Sequence, residues 1–177
     1  MASIGLCARV LLAVWMAALI RPISAEAVPR QPAAQPITGT AVERRALEAA
    51  VRLLPTPLSD AIIVIDPEGV PDSAAVRQLD AFIVLEADGT LRPRIYINRE
   101  SLILRAAERS DFYRKVLAAV IVHEATHLRG GSEQAARNAE SQFFTGLIAQ
   151  GLVPAEEGLG YLALLRRRAT AGNPVQR

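Results

Sequence analysis

Between residues 41 and 54 the apolar positions Val42, Leu47, Val51 and Leu54 return near helical spacing. Thr40, with Glu43 three positions on, forms a capping box, so the chain predicts a helix from Ala41 to Leu54 that Pro55 and Pro57 end. The period then changes. Ala61-Ile-Ile-Val-Ile65 is a continuous branched run stopped by Asp66-Pro67; Phe82-Ile-Val-Leu85 is stopped by Ala87-Asp88-Gly89; Ile95-Tyr-Ile97 lies just beyond Pro93. These read as three short strands, with Asp88 to Pro93 as a hairpin connection and a short helix around Ser73 to Leu79. From Arg99 the pattern is helical again. It predicts Glu100 to Ala107, then Phe112 to Leu128 capped by Ser110 or Asp111, then a helix capped by Ser132 and running to about Gln150, then Ala155 to Arg168. The second of these is apolar all round across Val116 to Val122, which suits the middle of a domain rather than its surface, and Gly130-Gly131 ends it. The expected class is α+β: a small, mainly antiparallel sheet, a buried helix, and C-terminal helices.

The first residues follow a different logic. Arg9 precedes the apolar run Val10 to Ile20, which Arg21 and Pro22 close and the small residues Ser24 to Ala27 follow. This is the layout of a secretory signal, residues 1–27, cleaved after Ala25 or Ala27 and sending the protein to the periplasm or outside the cell. A spanning helix needs about 20 apolar residues, so membrane contact is expected only through an uncleaved signal, if at all. Residues 28–37, with Pro29, Pro32 and Pro36, read as a flexible linker; 38–170 is the folded domain; 171–177 is expected to be a disordered tail. Cys7, the one cysteine, precedes the apolar run and would leave with the signal, so the exported domain holds together without disulfides. Twenty basic residues against eighteen acidic ones leave a net charge of +2. No basic tract interleaved with aromatics points to nucleic acid, and Arg166-Arg-Arg168 reads as a solvated helix end.

The candidate chemistry lies in the buried helix. His123-Glu-Ala-Thr-His127 is an HExxH motif, and it contains both of the chain's histidines. Four residues apart on a helix, the two imidazoles share one face and can reach one zinc ion, with Glu124 beside the open coordination position. A catalytic zinc site takes three protein ligands and a water, and with no third histidine a carboxylate has to complete the set. Glu133 leads, because the reversal at Gly130-Gly-Ser132 can return it towards the histidines. Glu140, seven residues on along the same face, is the rival ligand, or else a residue that hydrogen-bonds to a ligating histidine. These residues together suit hydrolysis by a zinc-activated water with Glu124 as general base. Tyr96, Tyr113 and Tyr161 are the side chains that could donate to an oxyanion.

His123-Glu-Ala-Thr-His127, followed by Ser132-Glu-Gln-Ala-Ala136, then Glu140 and Phe143-Phe144, resembles the gluzincin metallopeptidases, and among them the small single-domain minigluzincins. The resemblance covers about Arg94 to Gly151. It implies a zincin-like fold, a single zinc ion on His123, His127 and Glu133, and a peptide or protein substrate. It also implies that Ala136 is small so that its helix can approach the motif helix, and that Arg94 to Asn98 is an edge strand above the metal that pairs with the substrate. One position departs from the pattern: thermolysin-like members carry an aspartate four residues after the ligand glutamate, where this chain has Arg137. Three functions follow as expectations: an exported zinc peptidase; a zinc-bearing domain of this fold that binds a partner without cleaving it; or a helical interaction protein in which the motif is coincidental.

Overall fold

The computed structural model describes residues 37–70, 73–86 and 88–170, all within the unit Ala33–Arg177. The signal, all of the linker except Ile37, and the tail lie outside the described residues. Among the described residues, six helices and three strands follow in the order α1 (Ala41–Val51), β1 (Ala61–Ile65), α2 (Ser73–Val76), β2 (Ala81–Phe82), β3 (Arg94–Asn98), α3 (Leu102–Ala107), α4 (Asp111–Leu128), α5 (Glu133–Ala149) and α6 (Ala155–Thr170). A 3-10 turn, Pro67–Gly69, follows β1. The protein is thus α+β. Among the described residues no helix is long and apolar enough to cross a membrane.

Local chemistry sets most of the boundaries. Thr40 and Glu43 close the capping box on α1, and Ser101, Ser110 and Ser132 each accept from the first turn of α3, α4 and α5. α1 ends at Val51 rather than Leu54, because the amides of Leu53 and Leu54 bond three residues back and tighten its last turn. Gly89, at φ +82°, turns the connection between β2 and β3, with Glu86 N–H donating to Thr90 and Asp88 accepting from Thr90.

The sheet corrects two expectations. It is mixed, not mainly antiparallel: its order is β1-β3-β2, with β1 parallel and β2 antiparallel to β3. Arg94–Asn98 is therefore the central strand, with β1 and β2 on either side of it. A hairpin turn announces an antiparallel neighbour locally, whereas the direction of β1 depends on a crossover that has no local signature. β2 is also shorter than its apolar run. Phe82 pairs with Tyr96 but Leu85 pairs with Leu91, so three steps on one strand face five on the other, and the ladder breaks around Pro93, which has no amide to donate. Ile37, placed in the linker by composition, makes a bridge to Ile62.

α4 lies between two apolar clusters. On one side Leu117, Ala118 and Ile121 meet α1, α3 and the sheet, through residues such as Leu47, Leu104 and Ile97; on the other Val116 and Ala119 meet Phe144 and Leu147 of α5 and Tyr161 of α6. This two-sided burial explains why its middle turns lack a polar face.

One polar junction ties the layers together. The buried Glu43 carboxylate accepts from Thr40 N–H (2.6 Å) and from Arg99 Nε at the end of β3 (2.9 Å), and Arg99 also pairs with Asp66 at the end of β1. Burial works to raise the Glu43 pKa, but the Thr40 bonds and the Arg99 guanidinium outweigh it and hold the carboxyl below the ordinary glutamate range. Its stabilising contribution is then complete above the unfolded value, about pH 4.3, and is lost as pH falls through the lower folded value. Glu43→Gln is expected to cost about 1–3 kcal/mol in urea denaturation at pH 7. The unfolding midpoints of parent and variant should converge as the pH drops below about 4; a gap that stayed constant in acid would show that the charge on Glu43 does not matter.

Candidate functional site

The site begins at the end of α4. Gly130 takes φ +81°, its N–H donates to His127 O, and Gly131 N–H donates to Thr126 O, which together make a Schellman turn. A Cβ on Gly131 would lie 2.6 Å from Thr126 Cγ2 and 2.8 Å from Thr126 O, so only glycine fits there. Ser132 then caps α5, and four residues separate the two helices. α5 folds back along α4 with Ala136, Glu140, Phe144 and Leu147 buried on one face.

This reversal fixes both imidazoles from the Nδ1 side. His127 Nδ1 lies 3.0 Å from Gly131 O, and His123 Nδ1 lies 3.0 Å from Glu140 Oε2. A carbonyl and a carboxylate can only accept, so each neutral ring is assigned its hydrogen on Nδ1 and a lone pair on Nε2. The two Nε2 atoms stand 3.2 Å apart, and Glu133 Oε2 lies 3.1 Å from His127 Nε2 and 3.6 Å from His123 Nε2. Three acceptors thus converge, and they repel one another unless a proton or a metal ion sits among them. His123, His127 and Glu133 could hold such an ion.

The surroundings separate the carboxylates. Burial would raise the Glu133 pKa, but Arg137, whose Nε is 2.7 Å from Glu133 Oε1, and the two histidines bring it below the ordinary range and keep the group ionised. Glu124 moves the opposite way: its burial outweighs the attraction of His123 and His127, Glu133 and Glu140 add repulsion, and its pKa rises. Glu124 is buried, and no hydrogen bond to its carboxylate occurs among the described residues. Burial lowers the His123 pKa, but Glu140, Glu124 and Glu133 more than offset this and raise it.

The chain matches no family model, no curated protein sequence and no solved structure. The site is therefore read from its own residues.

The fold gathers His123, Glu124, His127, Glu133 and Glu140, and it gives the two candidate glutamates different positions: Glu133 beside both Nε2 atoms, Glu140 on Nδ1 of His123. The three tyrosines take different places. Tyr161 is buried and its hydroxyl donates to Glu140 Oε1 at 2.7 Å, on the Nδ1 side of His123. Tyr96 is buried in the sheet and stacks on Phe82. Tyr113 stands in the first turn of α4, ten residues before His123 and so about 15 Å away along the axis. Two contributors were missed. Arg137 was noted as a departure but not as the partner of Glu133, although the four-residue spacing of the pair is readable. The Gly131 carbonyl had no side-chain signal at all. Gly131→Ala is expected to destabilise the protein by about 1–3 kcal/mol through the clash with Thr126, measured by thermal or urea unfolding, while unchanged stability would mean the turn relaxes freely.

Proposed function

We propose that this protein is an exported zinc-dependent peptidase of the HExxH type, in which His123, His127 and Glu133 hold one zinc ion and Glu124 is the general base. The supporting observation is the triangle of acceptors. Ligands about 2.0–2.1 Å from a tetrahedral zinc lie about 3.3–3.4 Å from one another. The three edges here are 3.1, 3.2 and 3.6 Å, so the donor set fits the ion in type and spacing. The Nδ1 partners of the histidines, Gly131 O and Glu140, match the hydrogen-bonded support that ligating imidazoles require. Export rests on the signal pattern of residues 1–27.

Zinc, when bound, supplies a Lewis acid that acidifies water and polarises the scissile carbonyl. The remaining work falls to this chain's residues. Glu124, buried and without a hydrogen-bond partner on its carboxylate among the described residues, has the raised pKa that suits a group taking a proton from water and handing it to the leaving amine. Arg137 holds Glu133 Oε1 and so turns Oε2 towards the histidines. An extended peptide adding to the sheet on the side that packs against α4 would meet β2, one of its two outer strands.

A second reading, a zinc-bearing domain that binds a partner without cleaving it, draws on that same edge. β2 has only two paired residues, Ala81 and Phe82, a short template for a substrate strand. Metal content and hydrolysis separate the two. The purified protein is expected to carry one zinc per chain, to lose it in His123→Ala and Glu133→Ala, and to keep it in Glu124→Gln while hydrolysis of a peptide library falls by about 100-fold or more. No zinc after reconstitution would sink both readings; zinc retained with no cleavage by the unmodified protein would leave the binding domain.

A further inference from the structure

Hydrolysis needs no direct part from Glu140 or Tyr161, yet both are buried and their polar atoms are joined. Glu140 spends one carboxylate oxygen on each neighbour: Oε2 faces His123 Nδ1 at 3.0 Å, and Oε1 accepts from Tyr161 OH at 2.7 Å. We propose that Tyr161 is a positioning residue of the metal site, fixing the ring orientation and tautomer of His123 through Glu140, so that the seating of α6 and the binding of metal are coupled. The inference rests on the reading of His123, His127 and Glu133 as metal ligands.

The geometry separates what the ring of Tyr161 does from what its hydroxyl does. The ring packs at 4.4 Å, tilted, on Phe144, within the cluster that includes Val116, Leu147 and Val153. Phenylalanine would keep all of that. The hydroxyl alone orients Glu140. Without it, Oε1 would be a buried acceptor with no donor, and the carboxylate could rotate or share itself differently with His123. Because Glu140 sits on α5 and Tyr161 on α6, this three-residue chain carries the last helix's position to a histidine on α4. The seat of α6 is close: a Cβ on Gly158 would lie 2.4 Å from Ile148 Cδ1 and 3.2 Å from Val153 Cγ1. A docked α6 that favours the metal-ready His123 must, by linkage, be favoured in turn by metal.

The test uses the purified full chain and zinc itself, with affinity measured by competition against a chromophoric chelator. Glu140→Gln should weaken binding about 10- to 100-fold, the usual effect of losing support behind a ligand. Tyr161→Phe should weaken it about 3- to 10-fold, the worth of one hydrogen bond. The double variant should bind no more weakly than Glu140→Gln alone, since the hydroxyl acts only through that carboxylate. Zinc should slow hydrogen exchange of the α6 amides in the parent and do so less in Tyr161→Phe, a response that packing alone would not alter. Parent-like affinity and α6 protection in Tyr161→Phe, or losses that simply add in the double variant, would overturn the proposal. If the parent binds no zinc, the metal reading has failed instead. Positioning is then judged on the metal-free protein at a pH where His123 is neutral, from imidazole 15N couplings: a single Nδ1–H tautomer in the parent and a mixture in Tyr161→Phe uphold it, and identical tautomers in both refute it.

Discussion

Two imidazoles whose Nδ1 hydrogens are engaged elsewhere must turn their lone pairs towards each other if they stand one helical turn apart on the same face. In this protein Gly131 O and Glu140 engage those hydrogens, and both belong to the segment that folds back after α4. The reversal thus does two jobs. It ends the helix through Gly130 and Gly131, and it forces His123 and His127 into mutual repulsion that Glu133 Oε2 deepens. The apolar face of α5, with Ala136 and Phe144 fully buried, holds that helix against α4 and so keeps the backbones that carry the three groups together. Packing energy of the whole domain is set against a local electrostatic cost, which a proton or a metal ion among the three atoms would remove.

The same neighbourhood sorts three glutamates by environment. Glu133 is kept ionised by Arg137, Glu124 is pushed towards its neutral form by burial, and Glu140 is tied between His123 and Tyr161. Glu133 and Glu124 thereby acquire opposite pKa shifts within one site, the pattern by which acid and base roles are divided. Arg137 deserves its place in that balance for a further reason: it is the single arginine bonded to a carboxylate of the cluster among the described residues, and it meets the oxygen that faces away from the histidines.

How much of this could be read beforehand depended on range. The capping box of α1, the branched run of β1, the serine caps and the glycine stop after α4 are each written within a few residues, and the elements occur where those signals fall. The pairing of Glu133 with His127 spans six residues across a turn marked by glycines, so it too was legible. Strand order was not, because the parallel match of β1 with β3 is set by a crossover through the 3-10 turn, α2 and β2. Nor was the place of Tyr161, 21 residues from Glu140, since nothing local tells a packing tyrosine from one whose hydroxyl is bonded to a buried carboxylate.

Glu124 bears on whether such a site would merely hold a metal. A carboxylate whose burial raises its pKa costs stability when charged, and nothing in the His123–His127–Glu133 triangle requires it for holding an ion. Alanine, already present next to it at position 125 and buried, would pack the same helix without that cost. A local expense of this kind, in a chain whose caps, turns and core otherwise agree with one another, is a departure that folding alone does not account for. Under the proposed reading, Glu124 therefore bears on hydrolysis, and His123, His127 and Glu133 on metal.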